Sequence, residues 1–502
     1  MNQFTRRKFI GQLAGAAFAT SLPRVMRAKG ASAGTRKPNV LFLMADDTRA
    51  ELGCYASRLG AQTPHLDALA KAGVRFDRNY CQFPLCNPSR SSLLTGRYPT
   101  ETGVLGNRAG FRTAHPGWIS LPQLFKEAGY VSAATGKILH AGYDDPKAWT
   151  FGGSATVEDR SDGCGRTLVF ERAEGPPRPP GNLPPLPEDT RQAPVSDRVI
   201  ALDGNGESHV DYQTATEAIS FLGRLKDEPF FLACGLRKPH SPICAPQKFF
   251  DLYDVNKIEL PPDFAPWPTV PPGFPSAAIR KLNADLFIGR PAGVAEAREV
   301  IRAYLAAISW TDWNLGRVLA ELDRLGLREN TIIVFVTDHG YQLGERGKWS
   351  KAGSLFEQGT RVPLIIAAPG AGGNGQSCAR IVQSVDLYAT LAELCGLTMP
   401  ADMKTSVSLA PLIENPQSAW ARPAYSVWSE NGRTLHGVAV RTEKWRYAEF
   451  GPNGENGAML FDSKNDPLEL TNLAEDPRHA QTRAELSALT KKHAATLPKT
   501  AA

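Results

Sequence analysis

The 502-residue sequence shows no internal repeat and no apolar stretch long enough to read as a membrane span. Its eight cysteines, at positions 54, 81, 86, 164, 234, 244, 378 and 395, never fall as C-x-x-C, so neither a zinc ribbon nor a disulfide scaffold is indicated. Cys234 and Cys244 are the pair an oxidising compartment could join, although a chain of this length holds a core without staples. A net charge of either sign is also missing from most of the chain. Lys and Arg number 57 against 51 Asp and Glu. Six of the bases, Arg6, Arg7, Lys8, Arg24, Arg27 and Lys29, lie within Met1–Gly30, which contains no acid. The remainder is formally neutral. No nucleic-acid partner is indicated, and any attraction to an anion must be local.

The basic amino-terminal stretch TRRKFIGQLAGAAFATSLPRVMRA combines paired arginines, a Gly- and Ala-rich apolar run and small residues where a peptidase can cut. Thr5-Arg6-Arg7-Lys8-Phe9-Ile10 resembles a twin-arginine export signal, which implies the export machinery for folded proteins as a partner. Residues 1–33 are assigned to this signal, with cleavage after Ala28 or Ala33 and a bacterial periplasmic or secreted destination. The stretch is too short and too weakly apolar to span a membrane, so the mature protein is expected to have no transmembrane segment.

Beyond it, Asn39 to Met44 is a short apolar run ending in Asp46-Asp47, the pattern of a buried parallel strand delivering polar residues at its carboxyl end. Thr63-Pro64 opens a helix that Gly73 closes, and helices are expected at Leu121 to Ala128, Tyr212 to Leu225 and about Ala295 to Leu325. Apolar runs follow at Pro229 to Leu236 and at Thr331 to Thr337, the second ending in Asp338-His339. Helices alternating with apolar strands predict an α/β sandwich around a large, mostly parallel sheet, with the ligand site beyond the strands' carboxyl ends. Gly175 to Pro187 and Pro261 to Pro275 are proline-rich surface excursions around that site. After Met399 short strand-like runs (Ala424 to Trp428, Val438 to Arg441, Leu460 to Asp462) and a helix from about Pro477 predict a smaller α+β subdomain. The division is 36–400 for the large domain and 401–502 for the small one.

Several side chains are candidates for chemistry. Pro88 suits a first helical turn, which puts Cys86 at a helix amino end, where unpaired N–H groups favour an anion or an incipient thiolate. Arg90, one turn on, faces the same way. Locally, a buried capping cysteine explains Cys86 equally well. Asp46 and Asp47 read either as turn or cap residues or, with Asp338, as hard oxygen ligands for a divalent cation. Lys137 and His140 in TGKILH read as a solvated surface pair or as two converging groups. His240 in RKPHSP is, by itself, a loop histidine after a strand.

The run CNPSRSSLLTGR fits the C-x-P-S-R-x-x-x-L-T-G-R signature of type I, formylglycine-dependent sulfatases at every fixed position, and the chain resembles this family over nearly its whole mature length. The resemblance is nearest to iduronate-2-sulfatase and related bacterial glycan sulfatases. It implies an alkaline-phosphatase/sulfatase-like fold and conversion of Cys86 to formylglycine before export by a formylglycine-generating enzyme. It also implies Ca²⁺ held by Asp46, Asp47, residue 86, Asp338 and His339, of which His339 replaces the Asn of many sulfatases. In TDHGYQLGERGKWSKAGSLFE, Lys351 occupies the sulfate-binding lysine position, while Arg346 stands where histidine is expected. By resemblance, Arg90, Lys137 and Lys351 neutralise the sulfate and the formylglycine hydrate attacks sulfur. Asp338 accepts a proton, His240 assists the leaving alcohol, and His140 opens the sulfated hydrate. A sulfated saccharide is the implied substrate. The rival readings are a phosphatase or phosphonate hydrolase of the same superfamily, and a catalytically dead sulfated-glycan-binding protein.

Overall fold

β1, Asn39–Ala45, is buried along its whole length, and its alternating side chains feed two separate cores. Leu41, Leu43 and Ala45 join one, with the helices Val210–Leu225 and Val294–Arg324. Val40, Phe42 and Met44 join the other, with the helices Cys86–Thr95 and Leu387–Leu394. A strand covered on both faces has no polar side, which is why the run reads as continuously apolar. The structure, a computed structural model, describes residues 37–153, 165–169 and 196–497. The export-signal residues 1–33, Cys164 and the segment Gly175 to Pro187 lie outside the described residues.

The next strands in chain order are β2 (Val74–Tyr80), β3 (Val131–Gly136), β4 (Phe151–Gly152), β5 (Gly165–Val169), β6 (Val199–Leu202), β7 (Phe230–Gly235) and β8 (Ile243–Pro246). After the long helix come β9 (Thr331–Thr337), β10 (Arg361–Val362), β11 (Leu364–Ala367) and β12 (Ser377–Gln383). The central sheet runs β10-β2-β11-β9-β1-β7-β3-β4, with β12 beside β2. From β9 to β4 all neighbours are parallel, whereas β11 runs antiparallel to both β9 and β2. β5, β6 and β8 make a small separate sheet.

Register brings the functional ends together. Ala45 lies opposite Thr337, Met44 opposite Gly235, and Gly235 opposite Gly136. The residues after these positions therefore leave the sheet at the same end of the strands. No helix among the described residues is long and apolar enough to cross a membrane.

The remaining strands, β13 (Ala424–Trp428), β14 (Gly437–Arg441), β15 (Trp445–Phe450) and β16 (Ala458–Asp462), form an antiparallel sheet, packed against the helix Ala480–Ala494. This subdomain belongs to the same compact unit as the central sheet. The mostly parallel sheet and the small carboxyl-terminal one are as expected. β15 went unassigned because Arg446 and Glu449 break its apolar pattern. Both are buried in compensating contacts: Arg446 with Glu357 (2.5 Å) and Glu469 (2.7 Å), and Glu449 with the hydroxyls of Ser487 (2.8 Å) and Thr490 (2.7 Å).

The sequence left a Cys234–Cys244 pairing open. No disulfide forms among the described cysteines. Cys234 lies inside β7 of the central sheet and Cys244 inside β8 of the separate small sheet.

Candidate active site

The helix Cys86–Thr95 begins at the cysteine and stops at Gly96, whose φ of 66° and N–H bond to Ser92 O make a left-handed cap. A Cβ at Gly96 would meet Met403 Sδ at 2.8 Å, so this glycine of the signature is required both by backbone and by space. Ser89 Oγ donates to Asp338 O at 2.5 Å, which ties the helix to the end of β9. Arg97 pairs with Asp402 at 2.7 Å and lies over the Trp118 ring. The signature thus divides into residues that shape the helix and three, Cys86, Ser89 and Arg90, that face the sheet end.

Cys86 Sγ is 3.2 Å from His339 Nε2 and 3.5 Å from Asp46 Oδ1. Arg90 is wholly buried: Nε donates to Asp338 Oδ2 at 2.7 Å, Nη1 donates to Ile138 O at 3.1 Å and also to Lys137 O, and Nη2 is 3.8 Å from Asp46 Oδ2. Lys137 Nζ pairs with Asp46 Oδ2. Lys137 follows Gly136 (φ 74°), where a Cβ would strike Gly235 O, so the chain turns from β3 toward the site rather than entering a helix. Lys351 Nζ lies 3.0 Å from Asp47 Oδ2. His240 follows β7 and places a ring nitrogen within 4.8 Å of Cys86 Sγ and an Asp47 oxygen.

Burial and charge act against each other here. Burial raises the Asp46 carboxyl, but Lys137 and Arg90 hold it well below its usual value. Burial and Asp46 raise the Cys86 thiol, yet Lys137, His339 and Lys351 outweigh them and leave it well below the ordinary thiol range. Burial lifts Asp338 to about 7 despite Arg90, and lifts Asp47 despite Lys351. Burial opposes charge on His339 and His240. The surrounding anions win in both cases, raising His339 to about 10 and His240 above its usual value. Crowded carboxylates with raised pKa values mark a place where further positive charge is favourable.

The donor set fits a hard divalent cation. Asp46, Cys86, Asp338 and His339 offer ligand atoms that all lie within 4.8 Å of one another, and Asp47, Cys86 and His240 form an overlapping group. Asp47 Oδ1 is buried with no hydrogen-bond partner. Three carboxylates meeting at two strand ends supply the oxygen ligands that such an ion takes.

Asp46, Asp47, Cys86, Arg90, Lys137, His240, Asp338, His339 and Lys351 therefore converge. His140 does not enter either group of metal-ligating side chains, and its Nδ1 is buried without a hydrogen-bond partner. Arg346 faces away from the site. It pairs with Asp263 (3.1 Å), donates to Gln358 (3.0 Å), and stacks on Phe356 with its guanidinium carbon 3.8 Å from the ring centroid. Its departure from the expected histidine is a packing feature. Two contributors escape sequence reading. Tyr304 of the long helix donates its hydroxyl to Asp47 O at 2.6 Å, and Asp285 pairs with Lys351. Nothing local marks either one: Tyr304 belongs to an apolar helix face, and Asp285 lies outside every recognised motif.

A helix-borne cysteine, cations and a carboxylate corner at the ends of parallel strands define a hydrolase of anionic esters. The Sulfatase family profile matches residues 38–397, and the N-sulphoglucosamine sulphohydrolase C-terminal profile matches residues 344–495. Mouse iduronate 2-sulfatase is 31% identical, across 90% of this chain and 93% of its own. A sulfatase of Formosa agariphila is 32% identical, across 92% and 87%. The phosphonate monoester hydrolase of Agrobacterium radiobacter shares the fold, with a TM-score of 0.69 at 23% identity over 92% of this chain and 96% of that one. The chain belongs to the sulfatase family. It is a sulfuric ester hydrolase, and its relatives place it nearest the iduronate-2-sulfatase-like glycan sulfatases.

Proposed function

We propose that this enzyme removes sulfate from a sulfated saccharide, in the manner of iduronate-2-sulfatase, using formylglycine made from Cys86 and a Ca²⁺ ion. The observation that supports it best is the convergence of Arg90, Lys137 and Lys351 on the carboxylates around Cys86. Asp46, Asp47, Asp338 and His339 would hold the ion, which neutralises sulfate oxygens, while a hydrated aldehyde at position 86 supplies the nucleophilic oxygen. Arg90, Lys137 and Lys351 offset the charge of the ester as water is excluded. His240, whose pKa Asp47 and Asp46 raise against burial and Lys351, donates a proton to the departing sugar oxygen. Asp338 accepts the proton of the attacking group. His140 is assigned the later proton removal, for which its uncommitted Nδ1 leaves it available.

The reading extends to biogenesis: a formylglycine-generating enzyme acts on Cys86 first, and the twin-arginine machinery then exports the folded chain to the periplasm or beyond. Peptide mass spectrometry of active protein from its native host tests the nucleophile. Unmodified cysteine at position 86 would exclude it. Sulfate release from a panel of oligosaccharides with mapped sulfate positions tests the substrate class. A second reading, phosphonate or phosphate ester hydrolysis, draws on the shared fold of the phosphonate monoester hydrolase. A higher kcat/KM for an aryl phosphate or phosphonate than for the matching aryl sulfate would favour it.

A further inference from the structure

Lys351 has a second anion. Asp285 Oδ1 lies 3.4 Å from Lys351 Nζ, beside the Asp47 contact at 3.0 Å. The segment carrying Asp285 is strapped to the turn before Lys351. Lys348 Nζ donates to the carbonyl oxygens of Arg280 (3.1 Å) and Leu282 (2.8 Å). Asn283 Nδ2 donates to Gly347 O at 3.2 Å, and its Oδ1 accepts from Trp349 N at 2.9 Å. These four bonds fix the distance between Asp285 and Lys351. Asp285 Oδ2 is buried and accepts no hydrogen bond, an unfavourable state for a carboxylate unless a nearby cation compensates it. Lys351 is the cation that pairs with this carboxylate.

We infer that Asp285 is a positioning residue that holds the Lys351 ammonium in its sulfate-binding orientation once Asp47 serves the divalent cation. The inference rests on the proposed roles of Asp47 and Lys351. An ion on Asp47 weakens that anchor and adds a like charge beside Lys351. Asp285 is then the anchor that remains. A lysine side chain is a flexible stem with a single charged end, so an unanchored Lys351 would spread over several rotamers. The negative field of Asp285 also acts directly on the substrate, with the opposite sign: removing it would strengthen attraction for sulfate. Positioning and field therefore predict shifts in opposite directions.

The test uses Ca²⁺-loaded, aldehyde-bearing protein, 4-nitrophenyl sulfate as substrate and inorganic sulfate as inhibitor. Asp285→Asn should raise both KM and the sulfate inhibition constant roughly tenfold, the scale of one lost charge-assisted contact. The change in kcat should stay within about threefold, because the reacting groups are untouched. Asp285→Glu should recover most of the binding. In a Lys351→Ala background, Asp285→Asn should have no further effect, which a purely structural role would not produce. Thermal melting of each variant separates misfolding from lost positioning. A fall in KM, no change in either constant, or additive losses in the double variant would overturn the inference. If Lys351→Ala itself leaves KM unchanged, the assignment of Lys351 to sulfate fails and takes this inference with it. If only Asp285→Asn is silent, the failure is confined to Asp285.

Discussion

Arg90→Gln isolates what a buried ion pair does at this site. The guanidinium is fully buried and makes a 2.7 Å bond to Asp338 as well as bonds to the carbonyls of Lys137 and Ile138. Removing it leaves Asp338 Oδ2 buried, with the more distant His339 Nε2 at 3.5 Å in place of the 2.7 Å guanidinium bond. Breaking one side of a buried pair costs about 3–5 kcal/mol. For a chain of this length the unfolding entropy is roughly 1 kcal/mol/K near the midpoint, so a loss of about 4 kcal/mol lowers Tm by roughly 4 °C. Scanning calorimetry with excess chelator measures this directly. Arg90→Lys keeps the charge but loses the fork, and should recover only part of the shift. Added Ca²⁺ should narrow the gap for the glutamine variant, since it neutralises the same carboxylates, while activity stays at least about 100-fold down. A glutamine variant that melts within about 1 °C of the parent and retains most of its activity would refute the argument.

Other outcomes follow from the same geometry. Asp46→Ala should abolish activity and lower bound metal measured by elemental analysis, because one of three converging carboxylates is lost; full activity in metal-free Asp46→Ala protein would exclude the cation site. With an activated aryl sulfate and rapid-quench mass spectrometry, His140→Ala should accumulate sulfate covalently on residue 86, whereas His240→Ala should slow the first step and accumulate none. The reverse pattern would exchange the two roles. His493 stacks on Tyr425 at 4.3 Å, and burial holds it down to about 3. An unfolded histidine binds its proton near pH 6.5, so the folded state binds fewer protons between about pH 3 and 6.5. Stability is fully present above that window and falls as pH drops through it, by about 1.4 kcal/mol per unit. His493→Phe should flatten that acid slope in denaturant titrations, and an unchanged slope would show that other groups carry it.

What the sequence determined by itself was whatever depends on a few neighbouring residues. The apolar run before Asp46-Asp47 and the β-branched run before Asp338-His339 are strands because every position is buried, and the charged pairs follow where the burial ends. Pro88 suits the first turn of the Cys86 helix for reasons of backbone geometry, so the helix start was legible. The motifs also named Asp46, Asp47, Cys86, Arg90, Lys137, His240, Asp338, His339 and Lys351, which the fold brings into contact with one another. Tertiary structure decided the rest. The parallel register of Ala45 with Thr337 set the two carboxylate pairs side by side, and that pairing spans nearly three hundred residues of chain. β15 was concealed because Arg446 and Glu449 find partners only after the carboxyl-terminal sheet and helix have docked. Asp285 was indistinguishable from other charged loop residues until packing strapped it against Lys351, and packing also decided that Arg346 pairs with Asp263. Local pattern records what a residue needs from the backbone and from burial, but a charged side chain takes its role from partners that only the folded chain brings within a few ångströms.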